Sequence, residues 1–121
     1  MGQRQIDAAF RRSLKTVYKH LSPPQYRLVK AQEQFDQHEK DMAVIERSMI
    51  FRYTHDWRRR PEARQDEDYN LFYWLLNDMD KLDDRITRLE NKYDLDREVV
   101  MRYHNRMNQA HSASMVGASS F

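Results

Sequence analysis

A chain of 121 residues with 33% charged and 40% hydrophobic side chains, a formal net charge of +2 and a mean hydropathy of −1.02 suits extended helices with wide solvated faces rather than a thick globule. Without cysteine it has no disulfide, zinc-thiolate or iron–sulfur option, and its two glycines, Gly2 and Gly117, offer no glycine-rich loop to bring backbone amides against a phosphate. No apolar run reaches the roughly 20 residues that cross a bilayer, and Asn-X-Ser/Thr acceptor sites are missing.

The near-neutral total hides a segregation of charge. Residues 1–30 carry seven Lys and Arg against Asp7 alone, and residues 66–84 carry seven acids against Lys81 alone.

Residues 4–21 place Ile6, Phe10, Leu14, Val17 and Leu21 at helical spacing among Arg11, Arg12, Lys15 and Lys19, which predicts an amphipathic, basic first helix ending at Ser22-Pro23-Pro24. An arginine-rich, acid-poor amphipathic N-terminus is also the pattern of a mitochondrial transit segment. Beyond the double proline nothing interrupts a second helix, read as residues 25–57. Its apolar face runs Leu28, Ala31, Phe35, Met42, Ile45 and Met49, widened by Val44, Ile50, Phe51 and Tyr53. Arg58, Arg59 and Arg60 then complement the negative pole of its C-terminus, and Pro61 ends it.

A third helix is predicted over 62–112. Its seam repeats at steps of three and four through Phe72, Leu75, Met79, Leu82, Ile86, Leu89 and Tyr93, then Val100, Tyr103 and Met107. Counting outward from Pro61 sets Met49 opposite Tyr73, Phe35 opposite Ile86 and Leu28 opposite Tyr93, and lays the basic first helix beside the acidic stretch 78–84. The run Leu71 to Leu76 is apolar on every side, so Tyr73 and Trp74 need cover beyond one neighbouring helix. By the same count the second helix runs out near residue 97. Val99, Val100, Tyr103 and Met107 then form an apolar overhang that calls for another chain, unless a break near 94–96 folds the end back. The tail 113–121 is small and polar apart from Phe121, and order there would imply a partner.

Searches for chemistry come back empty. The five histidines fall in no His-X-X-X-His or Glu-X-X-His pattern, and His38 lies on the second helix's seam as a core residue with a partner. Asp78, Asp80, Asp83 and Asp84 lack the central Gly and closing Glu of a calcium loop. No local serine, histidine and acid motif occurs. Arg58, Arg59, Arg60 and Arg64 beside Trp57 could grip phosphates while the indole stacks on a base, but Asp56, Glu62, Asp66, Glu67 and Asp68 flank them.

Val17-Tyr18-Lys19 in the basic first helix, followed by Tyr26-Arg27 and Phe35, resembles the LYR proteins, small helical accessory and assembly subunits of mitochondria that bind acyl carrier protein. The likeness covers the first third of the chain. Val17 stands where that family has leucine, and the second helix continues where the family usually turns.

The expectation is therefore an all-α fold: a long antiparallel helical hairpin with a shorter N-terminal helix and an extended C-terminal helix, forming a single helical domain. Its expected role is a non-enzymatic structural or accessory subunit, without cofactor or metal, that braces a large multi-protein assembly. A mitochondrial complex is favoured, whether respiratory complex, ATP synthase or mitoribosome. Its partner-binding residues are expected to be Val99, Val100, Tyr103, Met107, Phe121, Tyr73 and Trp74. The alternatives are an RNA-binding or ribosomal helical protein acting through Arg58, Arg59, Arg60 and Arg64, and a bacteriophage virion or scaffolding component.

Overall fold

The computed structural model describes residues 3–119, an all-α chain whose two long helices pack against each other. In order the elements are α1 (Gln3–Ser13), a 3-10 turn (Thr16–Tyr18), α2 (Pro23–Tyr53), a second 3-10 turn (Trp57–Arg59), the single-turn α3 (Pro61–Arg64), α4 (Glu67–Tyr93) and α5 (Arg97–Ser119). Two compact units result. Residues up to Lys30 together with those from Ile86 onward form the first, and residues 31–85 form the second.

The first helix stops eight residues before the predicted end at 21. Ser13 donates its hydroxyl to the Phe10 carbonyl at 2.7 Å, Lys15 is extended, and the β-branched pair Thr16-Val17 continues only as a 3-10 turn. At α2 the double proline begins the helix instead of preceding it. Ser22 is the cap: its hydroxyl accepts the Gln25 N–H at 3.3 Å while Gln25 Oε1 accepts the Ser22 N–H at 2.9 Å. This reciprocal box needs no donor from Pro23 or Pro24, whose missing N–H groups belong to the unpaired first turn of any helix.

In the second unit, Ile45 and Met49 of α2 meet Phe72 and Leu75 of α4 around Trp57 and Ala63. The Trp57 ring stands edge-on to Phe72 at 5.1 Å and to Tyr69 at 5.9 Å. The connection between the helices is thus a small structured cap, not the short turn that symmetric counting assumes. Counting from Pro61 puts residue 84 across from His38, whereas the observed partner is Asp78, whose Oδ2 accepts from His38 Nε2 at 2.7 Å. Asp66 caps α4, accepting the Asp68 N–H at 2.9 Å. Arg52 bridges Asp66 and Asp68 at 2.5 Å each. The backbone amide of Asp68, followed by the Tyr53 hydroxyl, holds the Asp66 carboxyl below the usual carboxylate range.

In the first unit, Leu21, Leu28, Val29, Ile86, Val100 and His104 are buried. Leu28 and Val29 are adjacent on α2 and point to different sides, so the start of α2 is covered on more than one face.

The continuous helix predicted over 62–112 is replaced by three, and the decisive break is the one at 94–96. Asp94 adopts φ 52°, the Leu95 N–H reaches back to the Glu90 carbonyl at 3.0 Å, and α4 ends in a left-handed cap. Asp96 then caps α5 by accepting the Val99 N–H at 3.1 Å, while Glu90 Oε2 accepts the Arg97 N–H at 2.9 Å. The end of α2 uses a similar device, Thr54 at φ 92°, whose N–H bonds the Ile50 carbonyl at 2.8 Å. A left-handed residue is costly for a β-branched side chain and less so for aspartate. Thr54→Gly and Asp94→Gly are each expected to stabilise the fold, Thr54→Gly more, by on the order of 1 kcal/mol, and so to raise the thermal midpoint; differential scanning calorimetry of the single variants checks this. The C-terminal stretch, expected to be an unstructured tail from 113, continues α5 to Ser119, and Phe121 lies outside the described residues.

Candidate interaction surfaces

Helical periodicity turns only part of an all-apolar run inward. Of Leu71 to Leu76, Phe72 and Leu75 enter the core, and Leu71, Tyr73, Trp74 and Leu76 stay exposed, with Trp74 at 57%. Trp74 leans its ring toward His38, 6.0 Å between centroids. On α2 the face turned away from the core carries Val44 and Phe51, and Phe51 is 91% exposed. Phe51 follows Met49 by two residues, about 200° further round the helix. That phase difference was the signal that it does not extend the core face.

Charged groups flank these apolar positions. Lys40 and Arg47 alternate with Val44 and Phe51 on α2, and Asp80 and Asp84 continue the stripe of Tyr73 and Leu76 on α4. All four are exposed and make no ion pair among the described residues.

The apolar residues predicted to overhang are divided by the turn at Asp94. Val100 is buried within its own chain, which withdraws it from a partner surface; Tyr103 is half-buried, and its hydroxyl donates to the His20 carbonyl at 3.2 Å. Val99 and Met107 remain exposed.

The arginine cluster is largely occupied. Arg58 lies 4.4 Å over the Trp57 ring and pairs with Glu46 at 3.3 Å. Arg60 pairs with Asp56 at 3.1 Å and Glu62 at 3.7 Å. The Thr54 hydroxyl and then Arg60 keep the Asp56 carboxyl below its ordinary range. Arg59 and Arg64 are exposed. Trp57 is fully buried, so the base-stacking role that its position suggested is overturned: the indole fills the core of the second unit.

Sequence reasoning missed a histidine pair in the first unit, and nothing local signals it because its members lie 84 positions apart. His20 Nε2 and His104 Nδ1 are 2.8 Å apart. His104 Nε2 faces Asn108 Nδ2 at 3.3 Å. With the Asn108 amide donating, His104 accepts at Nε2 and donates from Nδ1, and His20 is the acceptor of the shared proton. Tyr18 stacks flat on His104 at 5.6 Å, Tyr103 stands edge-on to His20 at 5.5 Å, and Tyr26 joins Tyr18 to Phe10 of α1. Burial, and then the adjacent His104, push the His20 imidazole below its ordinary pKa.

Among the described residues no three or more His, Asp or Glu side chains converge as a metal site, and no described helix is long and apolar enough to cross a membrane. Compared with protein-family models, with curated proteins and with solved structures, the chain finds no match in any of the three; its likeness to the LYR proteins thus stays with the residues quoted above.

Proposed function

We propose that this protein is a non-enzymatic structural subunit that docks against other proteins through the outer faces of its second unit. One observation carries the reading: a phenylalanine that is 91% exposed in the last turn of a long helix. An exposed Phe forgoes on the order of 1.5–3 kcal/mol of burial, and Trp74, Leu71, Tyr73 and Leu76 repeat the deficit on α4. Apolar groups collected on one small unit mark an interaction site rather than ordinary surface scatter.

The docking surface differs from the one the sequence suggested. With Val100 and Tyr103 used inside the chain, the length mismatch that argued for a bracing overhang is gone. Tyr73 and Trp74 keep their partner-binding assignment, joined now by Phe51 and Val44. The arginine-rich first helix is what favours a mitochondrial complex as the assembly. A nucleic-acid role has less support, since Arg58 and Arg60 are paired and Trp57 is buried.

The test is native-gel mobility of the tagged chain in extracts of its own cells. Wild type is expected in a large assembly, and the Phe51→Ser/Trp74→Ser variant is expected to lose at least ~90% of that material to a free pool while purified variant keeps its helical circular dichroism. Unchanged incorporation overturns the reading.

A further inference from the structure

The outer faces of α2 and α4 in the second unit match each other in spacing and oppose each other in charge. On α2, Lys40, Val44, Arg47 and Phe51 follow at steps of four, three and four; on α4, Tyr73, Leu76, Asp80 and Asp84 follow at steps of three, four and four. Each set stays on one helical face. Each spans twelve residues, about 16 Å of helix between the first and the last, with an aromatic at one end and a charge at the other. Laid antiparallel with Phe51 against Tyr73, Arg47 falls between Leu76 and Asp80, Val44 falls against Asp80, and Lys40 meets Asp84. Among the described residues none of these four charges has an ion-pair partner, and all four apolar side chains are exposed.

The geometry points to a second copy of this chain as the occupant, with the α2 outer face of one molecule seated on the α4 outer face of the next. This rests on the second unit being a docking surface, and it names the partner. Charge selects the pairing: α2 on α2 gathers Lys40 and Arg47 of both copies on one contact and α4 on α4 gathers Asp80 and Asp84 of both, whereas α2 on α4 brings opposite charges together. The favoured contact is head-to-tail and leaves one complementary face open on each end molecule, so it builds chains or closed rings rather than a terminating dimer. Exposed ion pairs contribute little affinity. Burial of Phe51 against Tyr73 and Leu76 drives the contact, and the charges set partner face and direction.

Sedimentation velocity on the purified full chain decides it. Wild type is expected to grow in mass with concentration. The Lys40→Glu/Arg47→Glu chain has two acidic faces and the Asp80→Lys/Asp84→Lys chain two basic ones, so each alone is expected to remain monomeric, with at least about tenfold weaker self-association. Mixed one to one, they are expected to assemble again, because each α2 face once more meets an α4 face of opposite sign. A wild type that stays monomeric at every concentration overturns the inference, as do double variants that assemble like wild type or a mixture that stays monomeric. A monomeric wild type combined with loss of cellular assembly on Phe51→Ser/Trp74→Ser would leave the docking surface standing and remove only the second copy as its occupant.

Discussion

Trp57→Ala is expected to destabilise the protein by about 3–5 kcal/mol, the cost of deleting a fully buried indole from a core too thin to collapse around the gap. Trp57 is the largest fully buried side chain, and it is what Ile45, Met49, Phe72 and Leu75 share. In a two-helix unit the cap residue is a large fraction of the core, so its removal also loosens the contact between α2 and α4. Trp57→Phe separates packing from polarity. Among the described residues the buried indole Nε1 has no hydrogen-bond partner, a deficit of about 1–3 kcal/mol that phenylalanine removes. The conservative variant is therefore expected to lose less than half of what Trp57→Ala loses. Urea denaturation followed by circular dichroism reads both; equal losses in the two variants would mean that indole shape, not volume, carries the site.

Acidification from pH 7.5 to 5 is expected to release α5 from the N-terminal segment while the second unit keeps its structure. His104 is buried, and its Nδ1 lies 2.8 Å from His20 Nε2, which accepts the proton between them. Tyr18, Tyr103 and Asn108 also touch the pair, and Lys30 Nζ lies 5.1 Å over the Tyr18 ring. A proton taken up by His20 removes the acceptor of the hydrogen bond between the two rings. The sign follows from the depressed His20 pKa. The unfolded chain takes up protons at the ordinary imidazole value and the folded chain resists them, so the stabilisation is complete above that value and is lost as pH falls below it. Amide hydrogen exchange checks the result: protection over residues 100–108 is expected to drop several-fold at pH 5, with residues 35–50 unchanged. In His104→Phe, which keeps a ring against Tyr18, the pH dependence is expected to vanish. Its persistence would assign the acid response to other groups.

The helices themselves were readable because their cause is local. Seams at steps of three and four in Leu28 to Met49 and in Phe72 to Tyr93 need only neighbours along the chain to be recognised. Pro61 and the acids of the α4 first turn mark real boundaries for the same reason. The Ser22-X-X-Gln25 box was equally local but was hidden behind the assumption that two prolines must precede a helix. The turn at Asp94 was legible only as an alternative, because the chain reverses without the glycine that usually signals a left-handed residue. Thr54 and Asp94 take that conformation instead.

By itself the sequence determined an all-α chain of long amphipathic helices, with Tyr73 and Trp74 placed where one neighbouring helix could not cover them. Tertiary structure alone decided that Trp57 is core and not a platform for bases, that Val100 and Tyr103 close onto their own N-terminus, and that Phe51 faces outward. The reason is that periodicity fixes which residues share a face, whereas the identity of what covers the face depends on contacts between residues such as His20 and His104, 84 positions apart. Such contacts become possible only once a single backbone angle at Asp94 has turned the last helix round.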